Sequence, residues 1–185
     1  MHFQSVALSD RGLNREINED SAWIGSQIIA VADGLGGHAG GEVASAIVIN
    51  GLAKAEKKEF TKEAVHDLVI EITTKANGEI AKKIKDSPKL KGMGTTLTSL
   101  ITTEDKVALI HIGDSRCYQF RAGKLTQLSK DHTLVQELLD QGRLSPEEAN
   151  SHPQKSLITK ALMGNPETEP FIQLINVEPD DLFLL

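Results

Sequence analysis

Carboxylates stand at three places in this chain where glycine or other small residues would let a cation come close. Glu19 and Asp20 end the run Arg15-Glu16-Ile17-Asn18-Glu19-Asp20. Asp33 opens Asp33-Gly34-Leu35-Gly36-Gly37-His38-Ala39-Gly40-Gly41, directly after the apolar run Ile28-Ile29-Ala30-Val31-Ala32. Asp114 lies in Gly113-Asp114-Ser115-Arg116. A carboxylate at the end of a buried strand costs on the order of several kcal/mol unless it is paired or bound to a metal. Glycines beside Asp33 leave room for backbone carbonyls to reach an ion. Oxygen ligands of this kind suit Mg²⁺ or Mn²⁺, and no Cys/His set in the chain has zinc spacing. Each residue also has an ordinary reading. Asp33-Gly34 can be a turn, Glu19 and Asp20 loop acids, Asp114-Ser115 a hairpin corner, Arg15 a solvated arginine and His38 a loop histidine without a task. What decides between the readings is their joint occurrence, in one order.

The elements that must position these groups follow from hydrophobic period and punctuation. Residues 3–8 are expected to form a short strand and 28–32 a buried one. The glycine loop leads into a helix from about 42 to 57, apolar on most faces. A second helix from about 61 to 85 has Thr61 as N-cap, with Ala64, Leu68, Ile72, Ala76, Ile80 and Ile84 as its buried stripe. Strands are predicted over about 94–103, 106–112, 117–121 and 124–129, with turns at Glu104-Asp105 and Ala122-Gly123. Residues 133–164 return to helix and loop, and Ser145-Pro146 marks a helix start. Two strand-like segments, 171–177 and 181–185, close the chain. Helices grouped among hairpin-linked strands specify an α+β sandwich rather than alternating βαβ units.

Nothing in the 185 residues suggests a second domain: there is no repeat, linker or low-complexity tract. The composition, 39% hydrophobic and 25% charged, is that of a globular chain with an aliphatic core, since aromatics are only 4%. No run approaches the roughly 20 apolar residues that span a bilayer, and the first residues do not read as a secretory signal. A net charge of −6 without clustered Lys and Arg argues against nucleic-acid binding. Cys117, the single cysteine, has no partner for an internal disulfide, so a reducing cytoplasm is the expected location.

The ordered motifs resemble one known family. Ser9-Asp10, Gly12, Arg15 and Asn18-Glu19-Asp20 are similar to the opening motif of the bacterial branch of the protein phosphatase 2C family. Val31-Ala32-Asp33-Gly34-Leu35-Gly36-Gly37-His38, followed by Gly41-Glu42 and Ala44-Ser45, resembles its metal-binding loop and helix. Gly94-Thr95-Thr96, Gly113-Asp114-Ser115-Arg116 and Asp131-His132 continue the pattern. The resemblance implies a four-layer α/β/β/α sandwich of two mainly antiparallel sheets flanked by helix pairs, with 133–163 as a flap subdomain. It also implies hydrolysis of phosphoserine and phosphothreonine in proteins by a metal-bridging hydroxide, using two Mn²⁺ or Mg²⁺ ions with a place for a third, weaker one. On that basis Asp33 bridges the ions and Gly34 offers its carbonyl, Glu19 and Asp20 orient bound waters, and Asp114 serves the third ion. Arg15 holds the phosphate and His38 protonates the leaving oxygen. A cognate Ser/Thr kinase and its phosphorylated substrates are the implied partners.

Two of the family's metal-binding aspartates, in Ser-Asp-Gly and Asp-Asn motifs that follow a strand like 181–185, are not in this sequence. The expectation is therefore a phosphatase domain lacking its C-terminal part and last strands, weak in metal binding and in activity, within an active parent. A non-catalytic phosphoprotein-binding module, a pseudophosphatase, is the alternative. Gly34-Leu35-Gly36-Gly37-His38-Ala39 also matches a dinucleotide fingerprint, but the helix after it leads to another helix, and Asp33 would point negative charge at a pyrophosphate. A serine hydrolase has no Gly-x-Ser-x-Gly elbow to rest on.

Overall fold

The computed structural model describes residues 1–36, 40–56 and 60–185. In chain order these form β1 (Ser21–Ile24), β2 (Ile28–Ala32), β3 (Gly34–Leu35), α1 (Gly41–Ala55) and α2 (Lys62–Asp86). Then come β4 (Gly94–Thr95), β5 (Leu97–Thr102), β6 (Lys106–Ile112), β7 (Tyr118–Arg121) and β8 (Lys124–Gln127). α3 (Leu134–Asp140), α4 (Pro146–Ser151), β9 (Phe171–Asn176) and β10 (Leu182–Leu184) complete the chain. A five-stranded sheet has the order β1-β2-β5-β6-β9, a three-stranded sheet the order β10-β7-β8, and β3 pairs with β4; every pairing is antiparallel.

The period of two along each strand sends alternate side chains to opposite faces. Ile28, Ala30, Leu97, Ile101, Ala108 and Ile110 meet Ala44, Val48 and Leu52 of α1 and Val65, Ile72 and Ile80 of α2. Leu100, Val107, Leu109 and Ile175 point the other way, against Cys117, Leu128 and Phe183 of the second sheet and its approach. β5 and β6 are thus covered on both sides, which explains their nearly unbroken apolar runs. Full burial of one such Leu or Ile stabilises the fold by about 1.5–3 kcal/mol. The layers read helix pair, large sheet, small sheet. The outer face of the small sheet carries Phe120, Leu125, Leu182 and Leu184, all exposed.

The expected turns are present. Ala122 and Gly123 both have positive φ, 47° and 80°, as a two-residue hairpin requires. Thr61 caps α2 by accepting the Ala64 N–H, and Ser145 and Glu148 form a reciprocal capping box on α4. Four details differ from expectation. Residues 3–8 form no strand; Phe3 N–H bonds Ser26 O at 2.7 Å, while Val6 and Leu8 are exposed because neither sheet pairs with them. β1, hidden in a short polar-flanked run, pairs with β2 instead. Ala64 is exposed and Val65 takes its place in the α2 stripe. The predicted strand 94–103 breaks at Thr96 into β4 and β5. The dinucleotide alternative is excluded by topology, since both neighbours of β2 run antiparallel to it and α1 leads to α2.

Residues 133–163 lie against the end of this framework. Thr133 bridges Ile158, and Leu162, fully buried, bridges Thr95. Gly164 N–H donates to the buried Asn77 Oδ1 at 2.9 Å, tying the end of this segment to α2.

Candidate metal centre

Asp20 precedes β1, Asp33 follows β2, Thr96 precedes β5 and Asp114 follows β6. In an antiparallel sheet ordered β1-β2-β5-β6, these four positions fall at one end. Asp20, Asp33 and Ser115 line a cavity of about 460 Å³ there, with Arg116, Leu8 and Leu185 on its rim. A hollow of similar size, about 440 Å³, lies over the α1–α2 groove between Lys54, Glu71, Lys75 and apolar side chains. It holds none of the predicted groups, and the carboxylate cavity is the one with chemistry in it.

The electrostatics bring the predicted residues together. The Asp33 carboxyl is raised to about 6: burial is the largest cause, followed by the charge of Asp20, a hydrogen bond between the two carboxyl groups, and the charge of Asp114. Arg15 acts on Asp33 in the opposite direction, favouring its ionised form. Asp114 is also raised, first by burial and then by Asp131, with its own backbone N–H and Arg116 opposing. Acids crowded in this way favour a proton or a cation between them.

Each group is fixed by its backbone. Asn18 Oδ1 accepts the Asp20 N–H at 3.0 Å, and Asn18 Nδ2 donates to Ser9 Oγ at 2.7 Å. Ser45 of α1 donates to Glu19 O at 2.7 Å. Gly34 N–H also donates to Glu19 O, at 3.2 Å. Asp33 N–H donates to Thr96 Oγ1 at 2.9 Å, and Thr95 Oγ1 donates to Asp33 O at 2.9 Å. On the Asp114 side, Gly113 has φ 108°, and a Cβ there would lie 2.5 Å from the Thr96 methyl, so only glycine fits. Gly113 N–H donates to His132 Nδ1 at 3.0 Å, and His132 N–H to Gly113 O at 2.8 Å. His132 stacks on the buried His111 with ring centres 4.8 Å apart. Its ring is pushed down to about 4 by burial and by the charges of His111 and Lys160, so it is neutral and accepts through Nδ1.

A family model described as protein phosphatase 2C matches residues 16–160. The chain belongs to the protein phosphatase 2C family. It is 48% identical over 180 residues to the serine/threonine protein phosphatase PstP of Mycobacterium tuberculosis, covering 97% of this chain and 35% of that protein. The crystal structure of M. tuberculosis PstP/Ppp superposes with a TM-score of 0.89 at 46% identity, over 95% of this chain and 74% of the other. A PstP catalytic domain in complex with two manganese ions gives 0.85 at 43% identity, over 95% and 73%. The α+β sandwich expected from the sequence is therefore that of protein phosphatase 2C. The chain spans about a third of the full PstP length.

The residues of this protein phosphatase 2C chain fit a hard divalent ion in part. Glu19 Oε1 is buried and without a hydrogen-bond partner among the described residues. A Cβ on Gly34 would lie 2.4 Å from Gly41 O and 2.6 Å from Glu19 O, so that backbone is kept bare and close. Among the described residues, however, no three Asp, Glu, His or Cys side chains stand together as a complete cation cage. Of the predicted residues, the structure brings Asp20, Asp33, Asp114 and Arg15 into one field and ties the backbone of Glu19 to that of Gly34. His38 lies outside the described residues. Sequence reasoning gave no task to Thr96, Ser115 or His132; the available signal was the pair Thr95-Thr96 at a strand start and the Asp131-His132 dipeptide.

Proposed function

We propose that this chain carries the site of a metal-dependent protein serine/threonine phosphatase. The observation that carries the reading is Asp33, held at a strand end against Asp20 with Asp114 and Arg15 in reach. Three acids crowded beside one arginine suit a site that binds divalent cations and a phosphoryl group together. Asp33 and the Gly34 carbonyl are the proposed direct ligands, with Glu19 and Asp20 orienting bound waters and Asp114 serving a further ion. Divalent ions in such a site supply Lewis-acid charge and lower the pKa of water. The chain's own groups do the rest. Arg15, exposed and near enough for its charge to act on Asp33, grips two phosphate oxygens through its planar fork. Asp20 and Asp33 exclude other anions until cations are present. His38 delivers the proton to the leaving serine or threonine oxygen, a task matched to an imidazole near neutral pH.

Mn²⁺ and Mg²⁺ share this ligand chemistry; Mn²⁺ is preferred here because a relative was solved with manganese. Residues 133–163 are proposed as a flap that shapes substrate choice. The proposed substrates are phosphoproteins, with a cognate kinase acting on the same sites, in the cytoplasm. In the full-length protein, Asp33→Asn should cut Mn²⁺-dependent hydrolysis of a phosphothreonine peptide by about a hundredfold or more. Turnover close to that of the unsubstituted protein would remove Asp33 from its role, and phosphopeptide binding without turnover in either form would favour the pseudophosphatase.

A further inference from the structure

The register of the large sheet runs on past the end of its ladder. Val31 faces Thr98 and Gly34 faces Thr95, so Asp33 faces Thr96 at the point where β2–β5 pairing gives way to β3–β4. One bond of that pair is ordinary, Thr96 N–H to Asp33 O at 2.9 Å. The other is not: Asp33 N–H donates to the Thr96 side chain, Oγ1, at 2.9 Å. Thr96 is fully buried, so its hydroxyl proton needs an acceptor. Ser115 Oγ lies 2.8 Å away. With Thr96 donating to it, the Ser115 proton is left to point into the cavity that Asp20 and Asp33 share. From the far side Thr98 Oγ1 donates to Ser115 O at 2.9 Å.

We infer that Thr96 is a positioning residue whose single hydroxyl couples the Asp33 loop to the Asp114–Ser115 loop. Through it the two loops hold one spacing, and Ser115 presents a directed donor to whatever oxygen occupies the cavity. The chemistry requires a hydroxyl there: valine has the same shape but can neither accept the Asp33 N–H nor donate to Ser115. Serine keeps both. This inference rests on the metal-binding reading given above.

The test is a Mn²⁺ titration of the 185-residue chain, following free Mn²⁺ by electron paramagnetic resonance. Thr96→Ser should bind within about twofold of the unsubstituted chain, whereas Thr96→Val should bind about tenfold more weakly or worse, the usual range for losing a group that supports a metal ligand. Thr102→Val is the control: Thr102 is as buried as Thr96 but ends β5, at the opposite end of that strand from the site, and its substitution should leave Mn²⁺ affinity unchanged. Amide exchange at Asp33 supplies the second readout, slow in Thr96→Ser and faster in Thr96→Val. Ser115→Ala, at the cavity wall, tests the other end of the link if Thr96→Val does not fold, and should also weaken Mn²⁺ binding, by about threefold or more on the same reasoning. Mn²⁺ affinity unchanged in a folded Thr96→Val, or in Ser115→Ala, would overturn the coupling alone. Failure of the unsubstituted chain to bind Mn²⁺ at all would overturn the metal reading and the coupling together.

Discussion

Asp33 illustrates how one residue's environment can be tested without any assay of catalysis. Its proton is held more tightly in the folded protein, about 6, than the ordinary value of 3.8. A carboxyl raised by folding favours the native state while it is protonated in both forms. That advantage is full below the unfolded pKa and is lost as pH rises through about 6. Measured against Asp33→Asn, the metal-free unsubstituted protein should therefore lose stability between pH 4 and pH 6.5, as followed by thermal melts in a chelator; the difference isolates Asp33, because His132, pushed down to about 4, contributes the opposite slope to both proteins over the same range. Asn at position 33 carries no such proton, so Asp33→Asn should remove this contribution from the curve and melt higher than the unsubstituted chain at pH 7. Added Mn²⁺ competes with the same proton and should raise the melting temperature of the unsubstituted chain only. A difference between the two metal-free curves that stays constant from pH 4 to pH 6.5 would show that Asp33 is not crowded by Asp20 and Asp114.

At the scale of elements, a hydrogen-bonded clamp ties the end of α1 to the β1–β2 hairpin. Glu56, at the C-cap of α1, accepts from Trp23 Nε1, Ser26 Oγ, Gln27 N–H and Ile28 N–H at 2.9–3.3 Å. Burial would raise this carboxyl, but the bonds from Gln27, Trp23 and Ser26 prevail and hold it below its usual value. Gly25 lets the hairpin come this close, since a Cβ there would lie 2.1 Å from Glu56 Oε2. Glu56→Ala removes the acceptor of all four bonds and should lower the unfolding free energy by about 2–4 kcal/mol. Urea denaturation measures this; a change below about 0.5 kcal/mol would mean that the clamp is ornamental. The same pattern recurs between β7 and the β9–β10 turn, where Arg121 forks onto Asp181, whose side chain is only 3% exposed. Such links between elements matter here because the site is spread over the ends of four strands.

For the molecule as a whole, the uneven covering of its two sheets stands out. β5 and β6 are buried on both faces, whereas the small sheet is covered on its inner face only. Phe120 sits opposite both Leu125 and Leu182, and Leu184 follows one step along the same face. All four are exposed, between 41% and 63%. An apolar face of this kind binds hydrophobic dyes and drives association. The 185-residue chain should enhance the fluorescence of an anilinonaphthalene dye while natively folded. Phe120→Lys combined with Leu182→Glu should abolish most of that signal without changing Mn²⁺ affinity, because the face lies away from the carboxylate cavity. Dye fluorescence unaffected by the pair would place the exposed apolar surface elsewhere. Among the described residues no helix is long and apolar enough to cross a membrane.

Much of this was legible in the residues themselves. Period and punctuation located both long helices, the buried strands and the hairpin turns, because burial on one face or two leaves a regular mark on side-chain type. The motif order marked Arg15, Glu19, Asp20, Asp33 and Asp114, because carboxylates beside glycines have few cheap reasons to follow a buried strand. Tertiary structure alone decided the rest. Residues 3–8 have a strand's pattern but no pairing neighbour, and a strand is defined by its partner. Thr96 looks like any strand threonine until Asp33 is set opposite it, 63 residues away in the chain. That four strand ends meet at one edge, and that a single hydroxyl joins two of their loops, depends on antiparallel register between distant segments, and no local window of sequence contains that information.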